Sequence, residues 1–261
     1  MHALEPGTCL GTRVDSFQDS GLRLNRTAYL PDQPTGVMHC HQNAHISLVL
    51  QGGNLEKKRA IQLERLPGCV TFYQPEELHQ TIHKQFPAQH INLEIDDSFL
   101  SQHQMTNAQL GQGIHTAPDC AITLLKLYRE FQQTDCFSAA SRGMLIQQLL
   151  GESLTGFIPP WVNMIKELMQ DRWHESITLT ELATAAGVHP VTISKYFPKY
   201  FQATLGEYMR KLRVTKAIAF IHSPHRSLTD IAYQCGFADQ SHFTRTFHQL
   251  TGFTPKQFRQ L

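Results

Sequence analysis

The sequence predicts an α+β protein of two domains. The N-terminal domain is expected to be a β-barrel or jelly roll with a helical pair, and the C-terminal domain to be all-α. Three observations support this class: short apolar segments between turn residues before residue 118, helical spacing after residue 161, and a Gly- and Pro-containing stretch between the two halves. The C-terminal pattern further predicts two helix-turn-helix units joined by a long helix.

The N-terminal strands are indicated by alternation and by turn residues. Ile91, Leu93 and Ile95 alternate with polar residues, as in a strand with one buried face. Two further apolar segments with strand composition are residues 45–50 and 69–73. The intervening turns are expected at Gly36, at Gly52 with Gly53, at Pro67 with Gly68, and at Pro75. Many short strands with such turns predict a small barrel or jelly roll.

Two helices and a linker are expected next. Apolar side chains at helical spacing mark the helices, the first by Ile122, Leu125, Tyr128 and Phe131, and the second by Leu145, Leu149 and Leu150. They are expected to pack as an antiparallel pair. Gly156 and the pair Pro159-Pro160 then disfavour helix, which predicts a linker at residues 155–160 between domains 1–154 and 161–261.

The first predicted helix-turn-helix unit begins at Thr178. Thr178 with Glu181 forms a capping box, Gly187 suits the turn, and a second helix is expected from Val191 to Phe197. Apolar positions between residues 205 and 221 then predict a connecting helix of roughly 16 to 18 residues, about 25 Å long. Because successive major-groove segments of DNA lie about 34 Å apart, such a helix would let one monomer place both units on one side of a duplex.

The second unit, residues 227–259, carries the clearest pattern. Ser227 with Asp230 forms a capping-box-like start, and Gly236 permits a tight turn before a helix that begins near Asp239. The outer face of this helix carries four polar side chains that can reach base edges: Gln240, Ser241, Thr244 and Arg245. Ala183 and Ala232, like Gly187 and Gly236, are 49 residues apart, which indicates a duplicated unit.

Residues 161–261 closely resemble the DNA-binding domain of AraC/XylS-type transcriptional regulators. The family elements A-x-x-x-G-F, R-x-F and G-x-[ST]-P-x-x-[FY]-R occur here at residues 232–237, 245–247 and 252–259. The resemblance implies contacts to adjacent major-groove segments of double-stranded promoter or operator DNA. The implied contact residues are Val191, Ser194 and Lys195 in the first unit and Gln240, Ser241, Thr244 and Arg245 in the second. The first unit departs from the pattern, because His189 replaces the more usual Ser cap.

Charge is divided unequally along the chain although its formal net charge is only +1. Residues 161–261 hold 12 Lys and Arg against 7 Asp and Glu, and residues 1–160 hold 11 against 15. A basic domain suits phosphate binding, although any single basic residue can simply belong to a solvated helix face. The candidate phosphate contacts are Lys199, Arg210, Lys211, Arg213 and Lys216.

Composition excludes several other classes. No apolar run approaches the roughly 18 residues of a membrane span, and the N-terminus lacks the order of a signal peptide, so a cytoplasmic protein without membrane contacts is expected. The six cysteines form no C-x-x-C pair. Reduced structural thiols are therefore expected instead of a zinc ribbon or a thioredoxin-like motif.

A second candidate site lies among the histidines, seven of which fall between residues 39 and 103. The segment from Gly36 to Gly52 resembles the first cupin motif, with His45 in place of its acidic ligand, and residues 68–79 resemble the second. The resemblance implies four candidate groups, either as ligands of a divalent transition metal or as contacts of a small-molecule effector: His39, His41, His45 and His79. Both alternatives remain open at this stage.

The leading hypothesis is a sequence-specific DNA-binding transcriptional regulator, not an enzyme, that a small molecule or metal in the N-terminal barrel controls. The family resemblance implies activation as the commoner role, RNA polymerase as a partner, and a homodimer formed through the helical pair. Two alternatives are a metal-dependent cupin enzyme fused to a DNA-binding domain and a ligand-independent adaptor-type regulator.

Overall fold

In a computed structural model the chain divides into two compact units, Met1–Ser153 and Leu154–Leu261. The structure describes residues 2–33, 36–59, 61–116, 119–133, 138–150, 158–223 and 225–261. Of the predicted linker 155–160, residues 155–157 lie outside the described residues, and a helix begins at Pro160. The predicted two-part class is confirmed at the coarse level of a curled sheet followed by a helical unit with helix-turn-helix pairs.

One curled sheet of eight strands forms the centre of the N-terminal unit. The strands are β1 His2–Leu4, β2 Thr12–Asp19, β3 Leu22–Tyr29, β4 Met38–His41, β5 Ala44–Lys58, β6 Ile61–Arg65, β7 Val70–Tyr73 and β8 His79–Ile95. The main path runs β1-β4-β8-β3-β2, and β5 pairs with β6, β7 and β8. The long strands β5 and β8 pair antiparallel along most of their length, and the shorter strands β3, β4, β6 and β7 each pair directly with one of them.

The predicted turn at Gly52 and Gly53 is wrong, because both glycines lie inside β5. The register of β5 against β8 shifts repeatedly between Val49 and Asn54, as in bulges that bend a strand. Gly52 has a φ of +79°, and a Cβ there would lie 2.6 Å from the carbonyl oxygen of Gln85. Glycine is therefore required for a bend that contributes to the curl of the sheet.

Four helices follow the sheet: α1 Asp97–Gln102, α2 Asn107–Thr116, α3 Cys120–Gln132 and α4 Ser138–Leu150. The helices α3 and α4 are the predicted pair, and they pack against each other. The helix α3 also packs on β2, since the Tyr128 hydroxyl donates to Asp15 over 2.5 Å and the rings of Phe17 and Phe131 stack. The sequence analysis missed α1 and α2, which are short and in the case of α2 contain glycine.

The described residues of the C-terminal unit form helices joined by short turns, without a strand. Its helices are α5 Pro160–Asp171, α6 Leu179–Ala186, α7 Pro190–Phe201, α8 Leu205–Ile221, α9 Leu228–Gln234, α10 Gln240–Thr251 and α11 Pro255–Phe258. The predicted capping boxes at Thr178 and Ser227 are present. The connecting helix α8 has 17 residues, as predicted. None of the described helices is both long and apolar enough to cross a membrane.

The helix α8 belongs to the cores of both helix-turn-helix units. Its residues Tyr208 and Leu212 pack with Leu182, Ile193 and Phe197 of the first unit. Further along the helix, α8 contacts α9 and α10 of the second unit, where Phe243, Phe247 and Phe258 are fully buried. The described cysteines Cys9, Cys40, Cys69, Cys120 and Cys235 are free thiols, and Cys136 lies outside the described residues.

Candidate DNA-binding surface and histidine cluster

The second recognition helix, α10, separates an apolar face from a polar one. Phe243 and Phe247 are buried in the core, and the polar face presents the four residues named from the sequence. These residues line one shallow depression of the surface: Gln240, Ser241, Thr244 and Arg245. Asp239 caps the helix by accepting from the His242 N–H over 2.7 Å, which fixes its start.

A contact from α9 orients the first residue of this surface. The Thr229 hydroxyl donates to the side-chain oxygen of Gln240 over 2.6 Å. The amide nitrogen of Gln240 is thus left as the hydrogen-bond donor of this side chain. Arg245 follows one and a half helical turns later, on the same exposed face.

The first recognition helix, α7, likewise has one buried face and one exposed face. Ile193 and Phe197 are buried, whereas Val191, Ser194 and Lys195 are exposed, Val191 by 63%. His189 accounts for the unusual cap, because its Nδ1 accepts from the Val191 N–H over 3.3 Å. A histidine thereby takes the capping role in which a serine was expected.

A segment before the first unit connects it to the second. Arg213 on α8 donates through Nε to the Trp173 carbonyl over 3.2 Å and through Nη2 to the Glu175 carbonyl over 2.7 Å. The carbonyl of His174, between them, lies so near the second turn that a Cβ on Gly236 would be 2.1 Å from it. This segment, residues 173–175, therefore contacts both α8 and the turn of the second unit.

These contacts give Arg213 a different role from the predicted phosphate contact, since its half-buried guanidinium is bonded to backbone carbonyls. Lys199 and Arg210 are exposed, and Lys211 and Lys216 are partly exposed. Arg259, in the C-terminal motif, donates to the carbonyls of Ile221 over 2.7 Å and Arg226 over 3.0 Å. It thereby supplies a hydrogen-bond donor to the carbonyl at the end of α8. A motif outside the recognition helices thus contributes to the folding of the domain.

In the N-terminal unit, strand pairing brings three histidines together. His39 on β4 stands opposite His79 on β8, and His41 follows His39 on the same face of its strand. One ring nitrogen from each of the three residues lies within 4.8 Å of the others, and all three side chains are buried. Of the four histidines named from the sequence, these three converge. His45 instead stacks on His41 with ring centroids 3.9 Å apart.

Backbone contacts fix the tautomers of two of these histidines. His39 Nδ1 lies 2.9 Å from the Val37 carbonyl, and His79 Nδ1 lies 2.9 Å from the Glu77 carbonyl. Because a carbonyl can only accept, both Nδ1 atoms carry the proton and the unprotonated nitrogen in each ring is Nε2. This is the arrangement in which a histidine binds a metal ion while its other nitrogen is held from behind.

Burial also favours the neutral form of two histidines of the cluster. It lowers the pKa of His41 to about 4 and that of His79 to about 3, and the neighbouring His39 contributes in both cases. Burial lowers the pKa of His45 as well. The rings of His41 and His79 are therefore neutral at pH 7, the form that suits transition metals.

The histidine cluster forms one part of a cavity whose other residues the sequence analysis missed. They come from distant strands and include Tyr29, Arg65, Tyr73, His83 and His90. A local signal existed only for His83, which continues the alternation of His79 and Thr81 along β8. The others could be placed only once the pairing of the strands was known.

Comparison with known proteins places the helical unit in a family. Residues 182–261 match a protein-family model described as a helix-turn-helix domain. The transcriptional activator RhaS of Shigella boydii is 28% identical over 136 residues, which are 49% of this chain and 49% of that protein. The bifunctional transcriptional activator/DNA repair enzyme AdaA of Bacillus subtilis is 33% identical over 101 residues, 39% of this chain and 48% of that protein. The chain thus spans about half the length of the curated relatives it matches.

Solved structures give two similar chains. A transcriptional regulator from Chromobacterium violaceum with an AraC-type DNA-binding domain has 24% identity and a TM-score of 0.37, with 39% of this chain and 90% of that chain covered. ToxT from Vibrio cholerae has 12% identity and a TM-score of 0.38, with 94% of this chain and 98% of that chain covered.

Proposed function

By its C-terminal domain the chain belongs to the AraC family of transcriptional regulators, and we propose that it is a sequence-specific DNA-binding regulator controlled by a ligand in its N-terminal unit. The relatives are named transcriptional activators, which supports activation over repression. The observation that carries the proposal is the pair of recognition helices, each with a buried apolar face and an exposed face of side chains suited to base contacts.

In this mechanism α7 and α10 enter successive segments of the major groove. Arg245 donates to a guanine edge, and Gln240 donates to an acceptor through the amide that Thr229 orients. Val191 offers an apolar surface to a thymine methyl group. The remaining proposed base or backbone contacts are Ser194, Lys195, Ser241 and Thr244, with Lys199 and Arg210 on phosphates.

We predict that Arg245→Ala weakens binding to a specific site by about 1–3 kcal/mol, or roughly 5- to 150-fold. The site is first isolated by selection from a random-sequence DNA library, which should enrich two elements about 10 base pairs apart, one helical turn. Fluorescence anisotropy then measures the affinity of the full chain for this site and for a scrambled duplex.

The matched control is Lys256→Ala, which removes an exposed positive charge on α11, outside both recognition helices. It should change neither affinity by more than about twofold, because one exposed charge is screened at physiological salt. If Arg245→Ala weakened binding to both duplexes equally, the side chain would contact only phosphate. Unchanged affinity for both would show that α10 does not enter the groove.

For the N-terminal unit we propose a cupin-like barrel whose effector site contains a divalent transition metal. The donor set fits such an ion, since one ring nitrogen from each of His39, His41 and His79 lies within 4.8 Å of the others, all three side chains are buried, and Nδ1 of His39 and His79 carries the proton. A bound ion would supply a positive charge and a Lewis acid between β4 and β8. His45 would then act as a neighbouring effector contact, because it stacks on His41.

We propose a regulatory role for this site in place of a catalytic one, because RhaS is named a transcriptional activator. The alternative of a fused metal-dependent enzyme predicts turnover of a substrate by the metal-loaded chain. The α3 and α4 pair is the proposed homodimer contact, supported by the 66% exposure of Met144 on α4. RNA polymerase is the proposed partner at the promoter, and sedimentation of the full chain tests the dimer.

A further inference from the structure

We propose that the effector is a small carboxylate that bridges the histidine-bound metal and Arg65. This inference rests on the proposed metal-containing effector site and names the chemical class of the ligand. It follows from unpartnered polar atoms, from the charge balance of the cavity, and from the position of Tyr73.

Several buried polar atoms of the cavity residues have no protein partner. They are Nε of Arg65, both ring nitrogens of His83, and Nδ1 of His45. Arg65 is only 4% exposed, so solvent outside the protein does not compensate its Nε–H. A guanidinium can only donate, and a neutral imidazole has one N–H, so this set calls for a ligand with hydrogen-bond acceptors.

The charges in and around the cavity indicate whether the ligand is a neutral molecule with hydrogen-bond acceptors or an anion. Arg65 Nη1 lies 3.7 Å from Glu56 Oε2, and both side chains are buried, so this pair balances itself. The ring of His83 is neutral at pH 7, because burial lowers its pKa to about 4. A divalent ion at the cluster would therefore introduce uncompensated positive charge into a buried site, which is unfavourable without a counter-charge. A carboxylate supplies both the acceptors and the negative charge.

Tyr73 contacts both ends of the proposed bridge. The Tyr73 ring centroid is 4.1 Å from that of His79, and Arg65 Nη1 donates to the Tyr73 hydroxyl over 3.2 Å. One tyrosine side chain thus separates Arg65 from the metal ligands. Arg65 Nη2 donates to the Ser47 carbonyl over 2.8 Å, which fixes the guanidinium in place. The free volume of the cavity is about 40 Å³, which favours a ligand of a few atoms over a long-chain one.

The experiment loads the full chain with Co²⁺, whose visible absorption spectrum reports the ligands around the ion. Acetate and oxalate are then titrated against acetamide, a neutral molecule of nearly the same shape as acetate. We expect acetate and oxalate to change the spectrum saturably and acetamide to leave it unchanged. The double variant Arg65→Met/Glu56→Gln removes both charges of the buried pair, so it leaves no unpaired charge behind. It should weaken oxalate binding at least tenfold while Co²⁺ affinity changes less than threefold.

The outcomes separate this inference from the proposal on which it rests. Failure to bind one Co²⁺ per chain would overturn the metal site and the carboxylate together. Stoichiometric Co²⁺ binding without a carboxylate response, or with an equal response to acetamide, would overturn the carboxylate alone. Unchanged oxalate affinity in a folded double variant would remove Arg65 from the site. If the variant does not fold, the comparison of acetate with acetamide on the native chain still tests whether the site prefers a carboxylate.

Discussion

Replacing Gly236 with alanine should destabilise the C-terminal domain by at least about 3 kcal/mol, whereas the same change at Gly187 should cost about 1 kcal/mol. The two glycines occupy equivalent turns and both have positive φ, +73° and +64°. They differ in their surroundings. A Cβ on Gly236 would lie 2.1 Å from the carbonyl oxygen of His174, and a Cβ on Gly187 would meet nothing within 4 Å.

Because the backbone strain is shared, the difference between the two variants isolates the contact with the segment 173–175. Denaturant unfolding of the full chain measures it. Both tryptophans, Trp161 and Trp173, lie in the C-terminal unit, so their fluorescence follows that unit alone. Equal losses of stability would show that the segment does not pack against the second turn.

The same glycine illustrates what sequence can and cannot predict in this fold. Its turn was predictable, because the capping box at Ser227 and the apolar spacing around it are local signals. The contact with His174 was not predictable, since the two residues are 62 positions apart in the sequence and no short-range pattern joins them. At Gly52 a turn was predicted and a bulged strand was found. A bulge and a turn can both place glycine at positive φ, and only the pairing with residues 85–88 of β8 distinguishes the two.

The candidate sites divide in the same way. The exposed residues of α10 could be named from helical spacing alone. His39 and His41 could be named from the first cupin motif, and they share one face of β4. His79 required the second motif. Arg65 and His90 reach the cavity from β6 and β8 through strand pairing, and neither stands in a recognisable local pattern. Buried polar residues that come together only in the tertiary structure therefore cannot be predicted from local sequence patterns, even where they determine which ligand the cavity can bind.

The second large effect is expected from His79→Ala, which should lower the affinity for Co²⁺ or Zn²⁺ at least about 100-fold. It removes one of the three proposed donors, the one that is held by the Glu77 carbonyl and faces His39 across the strands. Competition with a chromophoric chelator measures the affinity of the full chain. The matched control is His115→Ala, at an exposed histidine on α2 outside the cavity, which should leave metal affinity unchanged.

The same variant connects the metal to regulation. Its affinity for the selected DNA site without metal should equal that of the native chain, because His79 lies in the N-terminal unit and not on a recognition helix. A promoter–reporter fusion in cells should nevertheless lose its response to added metal, since a ligand shifts an equilibrium only through differential binding. If the variant no longer bound metal but kept the native response of the reporter, the histidine cluster would not be the site that senses the effector. Loss of both together would identify the cluster as the site at which the effector acts.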